Sequence, residues 1–182
     1  MKKLKSKLAK IKEIKEPLKR RLFALAVITK ALEETGIKPI LIGGCALEYY
    51  SFGGYTTGDV DLALPHVKAV EKVFEGLGFK NKGRYWTHDR YDLMIEAPTS
   101  NIAGETANLT EVQIDGMKCF IIGVEDLIID RLNSYVYWKW EDDGRWVKRL
   151  IELNKKILDV KYLKKRAKEE GTIKSLEKIL KG

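Results

Sequence analysis

Histidine, cysteine and glutamine are almost missing from this chain, and each scarcity removes a class of chemistry. Cys45 and Cys119 are the two cysteines. They are too few and too far apart for a disulfide framework or a thiolate metal cage, so both read as reduced, small apolar residues. The two histidines, His66 and His88, have no metal-ligating partner at useful spacing and read as exposed loop or helix-cap residues. No apolar run approaches the roughly 18 residues that cross a bilayer. The N-terminal stretch MKKLKSKLAKIKEIKEP breaks its apolar positions with lysines and has no small-residue cleavage site of secretory type, so a cytoplasmic location is expected. A single glutamine, Gln113, beside abundant Lys and Glu is the composition expected of a thermophilic source. There is no internal repeat and no low-complexity stretch.

At 182 residues the chain has the length of one well-packed domain with a helical extension, and is too short to promise two independent cores. The net charge of +8 is unevenly spread. Residues 1–21 hold ten Lys/Arg against two Glu, residues 22–154 hold fourteen against twenty Asp/Glu, and residues 155–182 hold ten against four. Basic ends therefore flank an acidic centre. Such ends read either as solvated faces of amphipathic helices or as attractors for an anionic partner such as nucleic acid.

Apolar periodicity predicts a basic helical arm over residues 1–16, with Leu4, Leu8, Ile11 and Ile14 at helical spacing and Pro17 as its stop. A second helix runs from Leu18 to Glu34 and ends near Gly36, in the position of a C-terminal cap. The segment KPILIGG is a short strand entering a glycine turn, and CALEYYSFGG a short helix. DVDLAL is the next strand. HVKAVEKVFEGLGF follows as an amphipathic helix with Val67, Val70, Val73, Phe74 and Leu77 inward. Strands are expected around Tyr85–Thr87 and Tyr91–Ala97, and EVQIDGMKCFII carries the Asp-Gly signal of a hairpin. The remainder is helical, with Gly144 and Gly171 as punctuation. The expected organisation is an arm over 1–16, a core over 17–122 and a C-terminal helical region over 123–182 packed on that core, one domain overall.

The chemistry is concentrated in two short stretches. Asp59 and Asp61 stand two apart on a strand, so their side chains leave one face while Val60, Leu62 and Leu64 face the core. Converging carboxylates repel, a divalent cation relieves the repulsion, and oxygen ligation favours Mg²⁺ or Mn²⁺. Upstream, Gly43 and Gly44 join a strand to a helix. Missing Cβ atoms there let a phosphate approach the backbone, and the helix N-terminus supplies unpaired N–H donors. Either feature alone is common; their order carries the information. No Gly-Lys-Ser/Thr follows the glycines and G-x-G-x-x-G is absent, which excludes the P-loop and the dinucleotide fingerprint.

The stretch LIGGCALEYYSFGGYTTGDVDLAL resembles the signature of the DNA polymerase β-like nucleotidyltransferase superfamily: a Gly-Gly or Gly-Ser turn, a short helix, then Thr-x-Asp-hydrophobic-Asp. Gly43, Gly44, Thr57, Asp59 and Asp61 stand at those positions. Fourteen residues separate Gly44 from Asp59, slightly more than the pattern has, and a loop through Gly53, Gly54 and Gly58 absorbs them. GVEDLIIDRL is similar, more loosely, to a segment of small uncharacterised prokaryotic members, some tied to toxin–antitoxin or abortive-infection systems. The resemblance implies an α/β (α+β) fold, with a mixed sheet flanked by helices and a helical C-terminal part. It also implies a third carboxylate from a neighbouring strand. Alternation in RYDLMIEAP puts Asp92, Met94 and Glu96 on one face, so Asp92 or Glu96 can serve. Glu96 is preferred, because IEAP resembles the IEFP-like stretch of the small prokaryotic members.

The implied function is metal-dependent transfer of a nucleoside monophosphate from an NTP, ATP among them, with release of pyrophosphate. Asp59, Asp61 and the third acid would hold Mg²⁺ or Mn²⁺, the Gly43-Gly44 backbone the β and γ phosphates, and Thr57 would steady the aspartate strand or donate to a phosphate oxygen. The acceptor stays open: an RNA end, a protein hydroxyl or a small molecule such as an aminoglycoside. Arg131 and Lys139 are candidates for reaching phosphate. Trp138, Trp140 and Trp146 read as base-stacking rings or as core and interface anchors. Glu125, Asp126 and Asp130 read as surface ion pairs and capping residues. Two readings of other classes remain: a noncatalytic, antitoxin-like module holding a partner protein, and a nucleic-acid-binding protein led by its basic ends.

Overall fold

In the computed structural model, which describes residues 1–181, the chain opens with a helix, α1 (Lys2–Leu8), and a 3-10 turn over Ala9–Glu13. The periodicity predicts one helix through residue 16. The α-helix stops at Leu8 instead, and Leu8 and Ile11 are both fully buried. The next helix, α2 (Pro17–Leu32), begins where proline suits the first turn, and the Glu16 carboxylate accepts from the N–H groups of Leu18 and Lys19, each at 2.9 Å. Every residue from Leu22 to Thr29 is buried, so α2 is a central helix rather than a half-exposed one. Gly36, in the left-handed region at φ 71°, closes the 3-10 turn that follows it.

Seven strands form one mixed sheet: β1 (Ile40–Leu41), β2 (Val60–Ala63), β3 (Lys80–Lys82), β4 (Tyr85–His88), β5 (Leu93–Thr99), β6 (Thr110–Ile114) and β7 (Met117–Ile121), in the order β3-β4-β5-β2-β1-β7-β6. β1 is antiparallel to β2 and parallel to β7, and β2 is parallel to β5. Helix α3 (Gly43–Tyr50) follows β1 directly, and α4 (Lys68–Leu77) follows β2. The β6–β7 hairpin turns on Asp115 and Gly116, both at positive φ (50° and 72°), as a two-residue Asp-Gly turn requires. The edge strand β3, wholly exposed Lys-Asn-Lys, has no apolar alternation by which to be foreseen.

The two faces of the sheet differ. Val60, Leu62, Trp86, Leu93, Ile95, Ala97, Cys119 and Ile121 are buried on the inner face with α2 and α4. On the other face Asp61, Tyr85, Thr87 and Glu96 remain partly exposed and Met94 is 40% exposed. His88 belongs to the inner set, which corrects the expectation of an exposed residue. Two along from Trp86, it stacks on Tyr91 at 4.2 Å and meets Phe79 edge-on at 5.1 Å. Val67, expected inward, is 42% exposed because it precedes the first turn of α4.

Four helices complete the described residues: α5 (Val124–Trp138), α6 (Glu141–Asn154), α7 (Val160–Glu169) and α8 (Ile173–Lys181). Glu125 and Asp126 are not surface ion pairs; both are buried. Glu125 accepts from the N–H of Asp159 at 2.7 Å, and Asp126 accepts from the Tyr162 hydroxyl at 2.9 Å and pairs with Arg166 at 3.4 Å, clasping α5 to α7. Gly144 does not punctuate the helices but lies inside α6. A Cβ there would stand 2.7 Å from Cδ2 of Tyr135, so the glycine lets α6 press closely on α5.

Candidate active site

Asp61 lies on β2 opposite Glu96 of the parallel strand β5, and Asp59 precedes β2 by one residue. Adjacent strands separated by about 4.8 Å put such paired side chains side by side. One carboxylate oxygen from each of Asp59, Asp61 and Glu96 lies within 4.8 Å of the others, and all three residues are half-buried. Asp92, the other candidate for the third acid, is not brought there. It stands exposed in the turn before β5 at φ 49°, about 13 Å of strand away from Glu96.

Each acid has a partner that orients it. The Thr57 hydroxyl donates to Asp59 Oδ1 at 2.5 Å. Arg84 Nε lies 3.0 Å from Glu96 Oε1. Asp61 Oδ2 accepts the N–H of Gly44 at 3.0 Å, at the N-terminus of α3. Burial is the main influence raising the Asp61 pKa; the Gly44 N–H opposes it, the charges of Asp59 and Glu96 add to it, and Arg131 opposes it. This is an acidic site short of positive charge.

The glycine turn is built around that carboxylate. Gly43 has φ 60°, and a Cβ on it would stand 2.3 Å from Asp61 Oδ2, so the position excludes a side chain twice over. A Cβ on Gly44 would lie 3.4 Å from Tyr55 Cε1 and from Thr57 Oγ1. Tyr55 in turn meets Trp146 of α6 edge-on at 5.4 Å. Behind the turn, Arg21 of α2 and Glu48 of α3 form a buried pair at 2.5 Å, and Glu48 also accepts the N–H of Thr57 at 3.3 Å. Cys45 sits beside them, and burial pushes its thiol up to about 12. It is no nucleophile at neutral pH.

The remaining candidates divide. Arg131 is mostly buried and close enough for its charge to act on Asp61. Lys139 is exposed, and its Nζ donates to the carbonyl of Val136 at the end of its own helix, 2.7 Å away. Trp138 and Trp140 are neither core nor packed anchors: 67% and 57% exposed, they touch each other edge-on at 5.7 Å. Trp140 lines a cavity of about 440 Å³ with Lys139, Glu141, Asp142 and Asp143. A larger one, about 570 Å³, opens around Ile40, Ala63 and Ile102, but Lys38 is the one titratable side chain in its wall.

No family model and no curated protein sequence matches the chain. Among solved structures it is similar to an antigenic nucleotidyltransferase-like protein from Paracoccidioides brasiliensis, with a TM-score of 0.58 and 18% identity, covering 92% of this chain and 93% of that one. The fold is nucleotidyltransferase-like. A second structure, of the antibiotic-resistance factor ANT(2'')-Ia, matches with a TM-score of 0.49 and 16% identity over 82% of this chain and 91% of its own.

Reading the sequence misses Arg84, Tyr55, Glu48 and Asp143 as parts of the site's surroundings. Tyr55 and Glu48 carry a signal, since both lie between the glycine turn and the aspartates. The others depend on strand register or on helix packing that no local pattern encodes.

Proposed function

We propose that this chain is a metal-dependent nucleotidyltransferase that moves a nucleoside monophosphate from an NTP to an acceptor and releases pyrophosphate. The observation that carries the reading is the convergence of Asp59, Asp61 and Glu96, with oxygens within 4.8 Å of one another, beside a helix N-terminus entered through Gly43. Three carboxylates without sulfur or imidazole fit a hard divalent cation, and the mutual repulsion that helps raise Asp61 is the deficit such a cation makes good. When bound to these acids, Mg²⁺ or Mn²⁺ supplies charge neutralisation and a lowered pKa for an acceptor hydroxyl.

The protein's share is positioning and electrostatics. Thr57 fixes Asp59, and Arg84 holds Glu96. Asp61 already takes the Gly44 N–H, so phosphate contacts fall to the other N–H groups of the first turn of α3 and to Arg131. In the reaction the acceptor oxygen forms a bond to the α-phosphorus while the bond to the α–β bridging oxygen breaks. Pyrophosphate leaves, and the acceptor's proton passes to solvent.

A noncatalytic, antitoxin-like module has no use for a third acid facing Asp59 and Asp61, and nor has a protein that binds nucleic acid by its basic ends. The triad therefore favours catalysis over both. Use of ATP, kinship with the prokaryotic toxin–antitoxin-like members, a thermophilic source and a cytoplasmic setting belong to the same proposal; among the described residues no helix is long and apolar enough to cross a membrane. The acceptor is left to experiment among an RNA end, a protein hydroxyl and a small molecule. The test is pyrophosphate release from each of the four NTPs with Mg²⁺ or Mn²⁺ and a lysate as acceptor source, over a range of temperatures. Release by the wild type and none by Asp59→Ala is expected, and no release under any of these conditions would overturn the reading.

A further inference from the structure

Arg131 is held from two sides. Its Nη1 lies 3.3 Å from Oδ1 of Asp143, and its Nη2 lies 3.5 Å from Asp130. The two acids are not equivalent: the side chain of Asp130 is 51% exposed, whereas that of Asp143 is 10% exposed. Solvent screens the first contact and barely reaches the second. Asp143 can approach because its neighbour is Gly144, which allows α6 against Tyr135 of α5. One turn further along α6, Trp146 touches Tyr55, the ring that abuts Gly44. A single face of α6 thus backs both the cation and the aromatic wall beside the glycine turn.

The way Asp143 binds Arg131 leaves Nη2 as the nitrogen open to a ligand. Nη1 is engaged, Nη2 faces Asp130 beyond hydrogen-bond length, and Nε is buried with no partner among the described residues. Nη2 carries two N–H donors and can meet a phosphate oxygen in a charge-assisted hydrogen bond. Asp143 Oδ2 is likewise buried and unpartnered, so the contact is a single anchor and not a closed bidentate pair.

We propose that Asp143 is a positioning residue: from the first turn of α6 it holds the Arg131 guanidinium by Nη1, so that Nη2 meets the triphosphate of the bound NTP. The inference rests on the nucleotidyltransferase reading. A flexible Arg side chain loses rotamer freedom when fixed, and an anchor set in the folded protein removes part of that cost from nucleotide binding.

The test is a double-mutant cycle on the full chain. Binding of each of the four NTPs with Mg²⁺ is measured by calorimetry for wild type, Asp143→Asn, Arg131→Gln and the double variant. Asp143→Asn should raise the Kd about tenfold, the size of one charge-assisted contact, and should raise KM more than it lowers kcat. On the Arg131→Gln background the same change should do nothing further, since the anchor has nothing left to hold. If Asp143→Asn does not fold, Asp143→Glu, which keeps the charge one methylene away, enters the cycle in its place and is read by the same loss of effect on the Arg131→Gln background. Unchanged affinity in the Asp143 variant, or additive losses, would overturn the inference while leaving the nucleotidyltransferase reading intact. A wild type that binds no NTP overturns both.

Discussion

Gly43 and Gly36 share a left-handed backbone, at φ 60° and 71°, but only Gly43 is crowded. A Cβ on Gly36 meets nothing within 4 Å, whereas one on Gly43 falls 2.3 Å from Asp61 Oδ2. Gly36→Ala should therefore cost only the left-handed strain, about 1 kcal/mol in urea unfolding. Gly43→Ala should cost roughly 2–3 kcal/mol and displace Asp61, lowering turnover on the order of a hundredfold. Equal costs for the two would show that the close approach is not real. Asp61 itself is a residue whose charge opposes folding, since burial is the main cause of its raised pKa. Asp61→Asn keeps an acceptor for the Gly44 N–H and removes the charge, so the variant should melt at or above the wild-type temperature while losing activity. His88 gives the pH dependence. Burial, aided by Lys5 and opposed by Asp89 among others, lowers its pKa, while the unfolded chain restores a value of about 6.5. The unfolded state then binds a proton that the folded state resists. This contribution to stability is full above about pH 6.5 and is lost as pH falls through the folded-state pKa. His88→Phe should flatten the decline in denaturation midpoint between about pH 7 and 5; an unchanged slope would assign that decline to other groups.

At the scale of elements, the Arg21–Glu48 pair ties α2 to α3 and, through Glu48, to the loop carrying Thr57. Removing one partner leaves a buried charge, so Arg21→Met alone should destabilise by roughly 3–5 kcal/mol. Arg21→Met with Glu48→Leu should recover most of that stability but not the activity, because Thr57 loses its backbone anchor. Thermal melts and pyrophosphate release on the same samples separate the two effects. The elements also show what a sequence can and cannot reveal. Val60, Leu62 and Leu64 alternate with Asp59 and Asp61, so the strand and its two faces are plain from residues 59–64. The Asp115-Gly116 turn is equally local, and the helical character of the segment after residue 123 follows from apolar spacing. The choice between Asp92 and Glu96 was harder, because alternation puts both on one face; position along β5, fixed by register with β2, decides which lies by Asp61. Asp126 looks like a surface acid until its partner Arg166, forty residues on, is in place. Gly144 reads as a break because its role, admitting Tyr135, lies on another helix.

For the whole molecule, the sheet keeps one face for the core and leaves part of the other to the acids. Helices α2 and α4 pack on the first, while Asp61, Glu96, Tyr85 and Met94 remain accessible on the second. The charge of Asp61, buried beside Asp59 and Glu96, weakens the native state when no cation is present, and a cation that binds only the folded protein must stabilise it by mass action. Millimolar Mg²⁺ or Mn²⁺ should therefore raise the Tm of the wild type and leave that of an Asp59→Ala, Asp61→Asn double variant unmoved. The central claim is that this site cleaves an NTP between its α and β phosphates and passes on the nucleoside monophosphate. Parallel incubation with NTPs labelled at the α or the γ phosphate, Mg²⁺ and a lysate tests it most directly. The account predicts transfer of the α label to an acceptor, release of the γ label as pyrophosphate, and neither event with Asp59→Ala. Transfer of the γ label, or α transfer that survives Asp59→Ala, would contradict it.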